Sequence, residues 1–127
     1  MLSLTPELLV EDIHQSINWY QTNLGFEVLF VSPESGTPTF ARIKKGAAEI
    51  MLFRRAEFTH EIPAFQSASM GGTFVVYLEV KNIQALWDQV KDQATTVQPL
   101  HPTDYGSQEF SIQDCNGYHL MFGQRAS

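Results

Sequence analysis

The side chains in this sequence that could do chemistry are scattered, and their spacing fits neither a metal cage nor a nucleophile site. His14, His60 and His101 have no ligand spacing with one another. The one cysteine, Cys115, lies in the turn Asp114-Cys115-Asn116-Gly117 with no base beside it, so it does not read as a nucleophile. There is no glycine-rich phosphate loop and no nucleophile elbow. What remains suits holding a molecule rather than transforming it. Phe40, Phe53, Tyr77 and Tyr105 offer flat rings, and the thioethers of Met51 and Met121 adapt to varied shapes. Glu7, Arg42, Glu49 and His119 supply a few polar ends.

The whole chain narrows the classes of partner. Its 127 residues are a single-domain length, with 43% apolar and 17% charged residues, ordinary for a soluble globular protein. A formal charge of −6 argues against nucleic acid, which needs clustered Lys and Arg to neutralise phosphates. No apolar run approaches the ~20 residues of a transmembrane helix. The start MLSLTPELLVED lacks a basic stretch before an apolar one, so no signal peptide is read there. One cysteine forms no internal disulfide, which fits the cytoplasm.

The elements that must position these residues are written twice, 70 residues apart. Leu8, Val10, Asp12 and Ile13 recur as Leu78, Val80, Asn82 and Ile83; Phe40 recurs as Phe110, Ile50-Met51 as Leu120-Met121, and Arg55 as Arg125. Each half opens with an apolar strand, 4–10 and 74–80, then a helix capped by Asp12 or Asn82. Ile13, Ile17, Tyr20 and Leu24 form one helical stripe, ended by Gly25; Ile83, Leu86, Trp87 and Val90 form the other. Both stripes read as core. Three strands follow each helix, near 26–32, 38–43 and 47–53, then 96–100, 107–113 and 118–123. KKGA (44–47) and DCNG (114–117) read as hairpin turns. A two-residue turn at Lys45-Gly46 would set Phe40 against Met51 and Arg42 against Glu49. A bulge at Gly117 would flip the parity of 107–113 and leaves the direction of Phe110 open. The stretch 56–72 reads as a polar connection rather than a lid. The fold class is therefore α+β, two tandem β-α-β-β-β modules whose curved mixed sheets enclose a cleft where they meet, a natural place for a small molecule.

Read together, Pro6-x-Leu8-x-Val10-x-Asp12, Trp19-Tyr20, Leu24-Gly25-Phe26, Glu109-Phe110 and Asp114-x-x-Gly117-Tyr118 resemble the vicinal oxygen chelate superfamily, most closely its bleomycin-resistance-protein type. The resemblance spans essentially the whole chain. It implies one domain over 1–127, with module one at 1–55, a connection at 56–72 and module two at 73–127, and it implies a homodimer. In the metal-dependent relatives (glyoxalases, extradiol dioxygenases, fosfomycin-modifying enzymes) ligands project from the first and last strand of each module. Those positions fall on Thr5, Met51, Val75 and Met121, none of which offers nitrogen or carboxylate. The usual metal site and its Lewis-acid chemistry are accordingly not expected.

Strand alternation puts Glu7 beside Thr5, Glu49 beside Met51, Tyr77 beside Val75 and His119 beside Met121 on shared faces. A displaced metal site would need Glu7 and Glu49 to converge across ~13 Å, taking ~3.3 Å per residue, so it is not expected either. Tyr105, next to Gly106, is the leading candidate for stacking on a ligand, by the resemblance to relatives with an aromatic there. The expected function is metal-independent and without cofactor: sequestration of a small cationic or aromatic molecule. The ligand candidates are Tyr105, Phe40, Arg42, Glu7, Glu49, Met51, Phe53, Tyr77, His119 and Met121, with Glu79 turned the same way and anions disfavoured. The alternatives are a lyase, isomerase or dioxygenase with an atypical metal site, and an interaction module whose dimer surface is its function.

Overall fold

The structure, a computed structural model, describes residues 1–72 and 74–126. The His60 side chain and the outer positions Thr73 and Ser127 of the expected second module lie outside that description. The chain divides into two compact units, Met1–Met70 and Gly71–Ser127.

The first unit contains β1 (Glu7–Val10), α1 (Ile13–Leu24), β2 (Glu27–Ser32), β3 (Phe40–Lys45), β4 (Ala48–Arg54), α2 (Arg55–Glu61) and a short 3-10 turn, Pro63–Phe65. Its sheet order is β1-β4-β3-β2. β1 runs parallel to β4, and the other two pairs are antiparallel. The second unit contains β5 (Val75–Glu79), α3 (Ile83–Val90), β6 (Thr95–Pro102), β7 (Ser107–Gln113) and β8 (His119–Arg125), in the sheet order β5-β8-β7-β6. β5 is parallel to β8. The protein is thus α+β, two four-stranded mixed sheets with helices, as the repeated β-α-β-β-β pattern requires.

Helix starts and stops follow the local chemistry. Asp12 Oδ1 accepts the Gln15 N–H at 2.9 Å, and Asn82 Oδ1 accepts the Ala85 N–H at 3.3 Å, each occupying an amide that the first turn leaves free. Gly25 ends α1 at φ +71°, a conformation that costs glycine nothing. In the first unit Leu8, Val10, Ile50, Leu52, Ala41 and Ile43 are buried, together with Ile13, Ile17, Tyr20 and Leu24 of α1. In the second, Phe110, Ile112, Leu120 and Phe122 are buried with Ile83 and Val90 of α3. Each large aliphatic chain so buried contributes about 1.5–3 kcal/mol. A one-residue slip would expose the whole set, so strand parity is firmly fixed.

Several details differ from the sequence expectations. The strand expected at 4–10 is regular only from Glu7, though Pro6 C=O already accepts the Met51 N–H at 3.0 Å. The first hairpin pairs Lys45 with Ala48, so its turn is Gly46-Ala47 rather than Lys45-Gly46. Gly46, at φ +57°, takes the first central position, where two-residue turns of the II′ kind want glycine. The register therefore shifts by two: Phe40 faces Phe53, and Arg42 faces Met51. The β7–β8 ladder runs without a break from Ser107↔Arg125 to Gln113↔His119, so no bulge at Gly117 flips its parity. Asp114 Oδ1 instead organises the loop by accepting the Asn116 and Tyr118 N–H groups. Phe110 consequently points to the core, stacked on Phe122 at 4.9 Å and against Trp87 at 5.1 Å. The stretch read as a polar connection folds in part as α2 and the 3-10 turn. Phe58 packs on Phe53 at 5.0 Å and Phe65 on Phe58 at 5.7 Å, contacts that a count of its polar residues does not reveal.

Candidate functional site

Parity that buries one face of each sheet leaves the other turned from its own helix, where side chains are not committed to the core. The register sets the residues of these open faces in rows. In the first unit one row runs Glu7, Met51, Arg42, Phe30 and the next Leu9, Phe53, Phe40, Ser32. In the second unit the corresponding rows are Tyr77, Met121, Ser111, Gln98 and Glu79, Gly123, Glu109, His101. The ten ligand candidates from the sequence therefore divide by module. Glu7, Phe40, Arg42, Glu49, Met51 and Phe53 share the first open face; Tyr77, His119 and Met121 share the second. Tyr105 stands in the β6–β7 connection beside it.

The second face is built around Glu109. Its side chain is buried, the residue only 5% exposed, and both carboxylate oxygens are engaged. The Tyr77 hydroxyl donates to Oε2 at 2.9 Å and the Tyr105 hydroxyl to Oε1 at 2.8 Å. Tyr77 reaches Glu109 from β5 only by crossing β8, and it crosses at Gly123, where a Cβ would collide with the phenol. The rings themselves stay accessible: Tyr77 is 53% exposed and Tyr105 73%. Lost water contact, necessarily at the hydroxyl end, holds the Tyr77 phenol above the ordinary tyrosine range, with the hydrogen bond and charge of Glu109 adding to it. For Tyr105 the hydrogen bond to Glu109 is the largest cause of the same upward direction. On this face Glu79 is paired with Arg125 at 2.7 Å, which holds its carboxyl below the usual value. Glu79 therefore does not stand as the free inward charge expected of it. His101, beside Glu109 on β6, makes a 2.7 Å contact from Nδ1 to the Pro99 carbonyl.

Sequence reasoning missed Glu109 as the centre of this candidate site, because the repeat had set Phe110 against Phe40. The structure sets Glu109 there instead. The β8 offset is 70 residues, but a longer β7–β8 loop, Asp114–Tyr118 against Gly46-Ala47, reduces the β7 offset to 69. The signal in the sequence was the buried-strand pattern Phe110-x-Ile112, which already turns Glu109 away from the core.

The first face is apolar by comparison. Phe30, Phe40, Phe53, Phe58 and Phe65 form a continuous row of ring contacts, at 6.2, 5.9, 5.0 and 5.7 Å. Arg42 Nε bonds Glu49 Oε1 at 2.8 Å, the expected pair, but diagonally rather than straight across. With side chains 40% and 34% exposed, it contributes at most about 1 kcal/mol.

The register also revises the geometry around the family's metal positions. Glu7, not Thr5, lies opposite Met51, and Tyr77, not Val75, lies opposite Met121. Glu7 and Glu49 are then offset by two residues instead of four, about 7 Å along the strands rather than ~13 Å. Even so, among the described residues no three His, Cys, Asp or Glu side chains come together. Cys115 is exposed. A hollow of about 550 Å³ lies among Asn82, Gln84, Thr103, Gln108 and Gln124. Gln108 and Gln124 alternate with Glu109 and Gly123, so they face the α3 side of the sheet, opposite Glu109. None of the ten candidates lines that hollow. Among the described residues no helix is long and apolar enough to cross a membrane.

Comparison with known proteins agrees with this architecture. The model of the Glyoxalase/Bleomycin resistance protein/Dioxygenase superfamily matches residues 4–122. Among solved structures, TioX from Micromonospora sp. ML1 is similar with 23% identity and a TM-score of 0.76, covering 98% of this chain and 97% of that one. Hypothetical protein SA1046 from S. aureus is 22% identical with a TM-score of 0.78, over 98% and 94% of the two chains. A glyoxalase-related enzyme from Fulvimarina pelagi is 12% identical with a TM-score of 0.79, over 98% and 89%. At these identities the likeness concerns the fold alone. No curated protein matches the chain.

Proposed function

The chain belongs to the glyoxalase/bleomycin resistance protein/dioxygenase superfamily, and we propose that it is a metal-independent member that sequesters a small cationic or neutral aromatic molecule on the open face of its second module. The observation that carries this reading is the Tyr77–Glu109–Tyr105 array: two accessible rings fixed by their hydroxyls to one buried carboxylate. Fixed rings lose little freedom when a flat ligand covers them, and the carboxylate below favours positive charge. The residues at the family's metal positions, Thr5, Met51, Val75 and Met121, support binding without a divalent ion, because hydroxyl, thioether and alkyl groups are poor ligands for one.

The test is a thermal-shift panel of small molecules on chelator-treated protein. A true ligand at 100 times its Kd adds about 2.7 kcal/mol, while anionic compounds leave the midpoint unmoved. Elemental analysis of protein purified without chelators supplies the opposing outcome. Near one divalent metal per chain, required for binding, overturns the proposal.

The working unit in this reading is a homodimer. Leu29 and Phe30 on the edge strand β2 are 48% and 50% exposed, an apolar strip suited to cover by a second copy. Sedimentation as a monomer at micromolar concentration would contradict it.

A further inference from the structure

Glu109 differs from an ordinary counter-charge for a cationic ligand in one respect: its carboxylate is buried beneath the groups that hold it. Its residue is 5% exposed, and each oxygen already accepts a phenol hydrogen at 2.8 or 2.9 Å. A primary ammonium would have to exchange its strong hydration for a salt bridge, and here that bridge is obstructed. The exposed surface is ring, 53% on Tyr77 and 73% on Tyr105. A phenol that donates to a carboxylate takes on part of its negative charge, and the ring face becomes richer in electrons. Cation–π attraction requires that, and it needs no hydrogen bond from the cation. The two hydroxyls meet at one carboxylate, so the rings converge at that end and flank the buried charge from β5 and from the β6–β7 connection. Arg125 on this face is held by Glu79 at 2.7 Å, while Asp104, next to Tyr105 in the β6–β7 connection, adds a negative charge near that ring.

We propose that this face selects organic cations lacking N–H donors, such as quaternary ammonium or N-alkylated aromatic cations, over protonated amines of the same shape. The selection rests on the binding reading above and narrows it. Weak hydration makes such a cation easy to strip of water, and the tyrosine rings replace that water while Glu109 supplies the field. Gly123 is the positioning residue, because only a residue without Cβ lets Tyr77 span β8 to reach the carboxylate. The Tyr105 hydrogen bond to Glu109 makes its ring part of the same unit rather than a free aromatic on a loop.

The experiment titrates the full chain, after chelator treatment, with three benzyl probes: benzyltrimethylammonium, benzylammonium, which has N–H donors in place of the three methyls, and neopentylbenzene, the neutral isostere of the first. Binding is read by calorimetry and by the tyrosine ring resonances. The expected result is that benzyltrimethylammonium binds about tenfold more tightly than either of the others. Glu109→Gln, which keeps a partner for both phenols, should abolish the preference over the neutral isostere, and Tyr77→Phe should reduce it. Equal or tighter binding of benzylammonium overturns the proposal, as does an undiminished preference in Glu109→Gln. If none of the three binds while another member of the thermal-shift panel does, the selection fails and the binding reading stands. If nothing in the panel binds, both fail.

Discussion

The open faces of the two modules share a strand order and a register, yet they are furnished differently. Where the first module sets Phe53 beside Phe40, the second sets Gly123 beside Glu109. Where the first has Glu7 against Met51, the second has Tyr77 against Met121. One face is a row of phenylalanine rings beside an Arg42–Glu49 ion pair; the other is a buried carboxylate held by two phenols. A duplicated backbone can therefore keep its core while each open face takes on separate chemistry. The core obeys the repeat because parity there is fixed by burial, and the open face is free of that constraint.

The sharpest way to break this comparison is to remove the ring that separates core from face. Phe110→Ala should destabilise by about 3–5 kcal/mol in urea unfolding, since the side chain is fully buried between Trp87 and Phe122. Phe40→Ala, on the half-buried open face, should cost about 1 kcal/mol. Equal losses would mean that the two residues are equivalents after all, as their spacing in the sequence suggests.

Gly123→Ala comes next. Its Cβ would collide with Tyr77, so the phenol must leave Glu109 or the strand must shift, at a cost of about 1–3 kcal/mol. Tyr77→Phe in the same chain should relieve only part of the loss, because it removes the hydroxyl but leaves ring Cζ 2.7 Å from the new Cβ. Tyr77→Ala should relieve it, and no interaction between the two substitutions would remove Gly123 from the account.

The legible part of the molecule in the sequence was the part governed by periodicity and capping. Asp12, Asn82 and Gly25 carry the local signals that set helix ends, and the stripe from Ile13 to Leu24 is buried as its spacing requires. Alternation puts Glu7, Phe40, Arg42, Glu49, Met51 and Phe53 on one face of the first sheet, and the register does the same. Two kinds of information were missing. Register depends on which residue takes the first turn position, and Gly46 in place of Lys45 moved every cross-strand partner on β3 and β4 by two. Long-range meeting points, such as two hydroxyls on one carboxylate 32 and 4 residues away, leave no periodic trace.

A smaller effect sharpens the contrast through protons. Both site phenols have pKa values above the ordinary tyrosine value of about 10. Because the folded value is raised, the stability they contribute is fully present below pH ~10 and is lost as pH climbs through the folded values. Absorbance titration near 295 nm should find the Tyr77 and Tyr105 phenols ionising above the ordinary range, and Glu109→Gln should bring both back toward it. An unchanged titration would mean that Glu109 does not hold them. The smallest effect belongs to the first face: Arg42→Ala should change stability by less than about 1 kcal/mol, as a diagonal, part-exposed ion pair allows.

In the proposed reading, ligand recognition resides on the tyrosine–carboxylate face and needs no metal. It is tested most directly by the dissociation constant of benzyltrimethylammonium for chelator-treated protein, compared among the unaltered chain, Tyr105→Ala and Phe40→Ala. Binding should be about tenfold weaker for Tyr105→Ala and should change by less than about threefold for Phe40→Ala. Binding that appears only when a divalent metal is restored, or that depends on Phe40 and not on Tyr105, would contradict it.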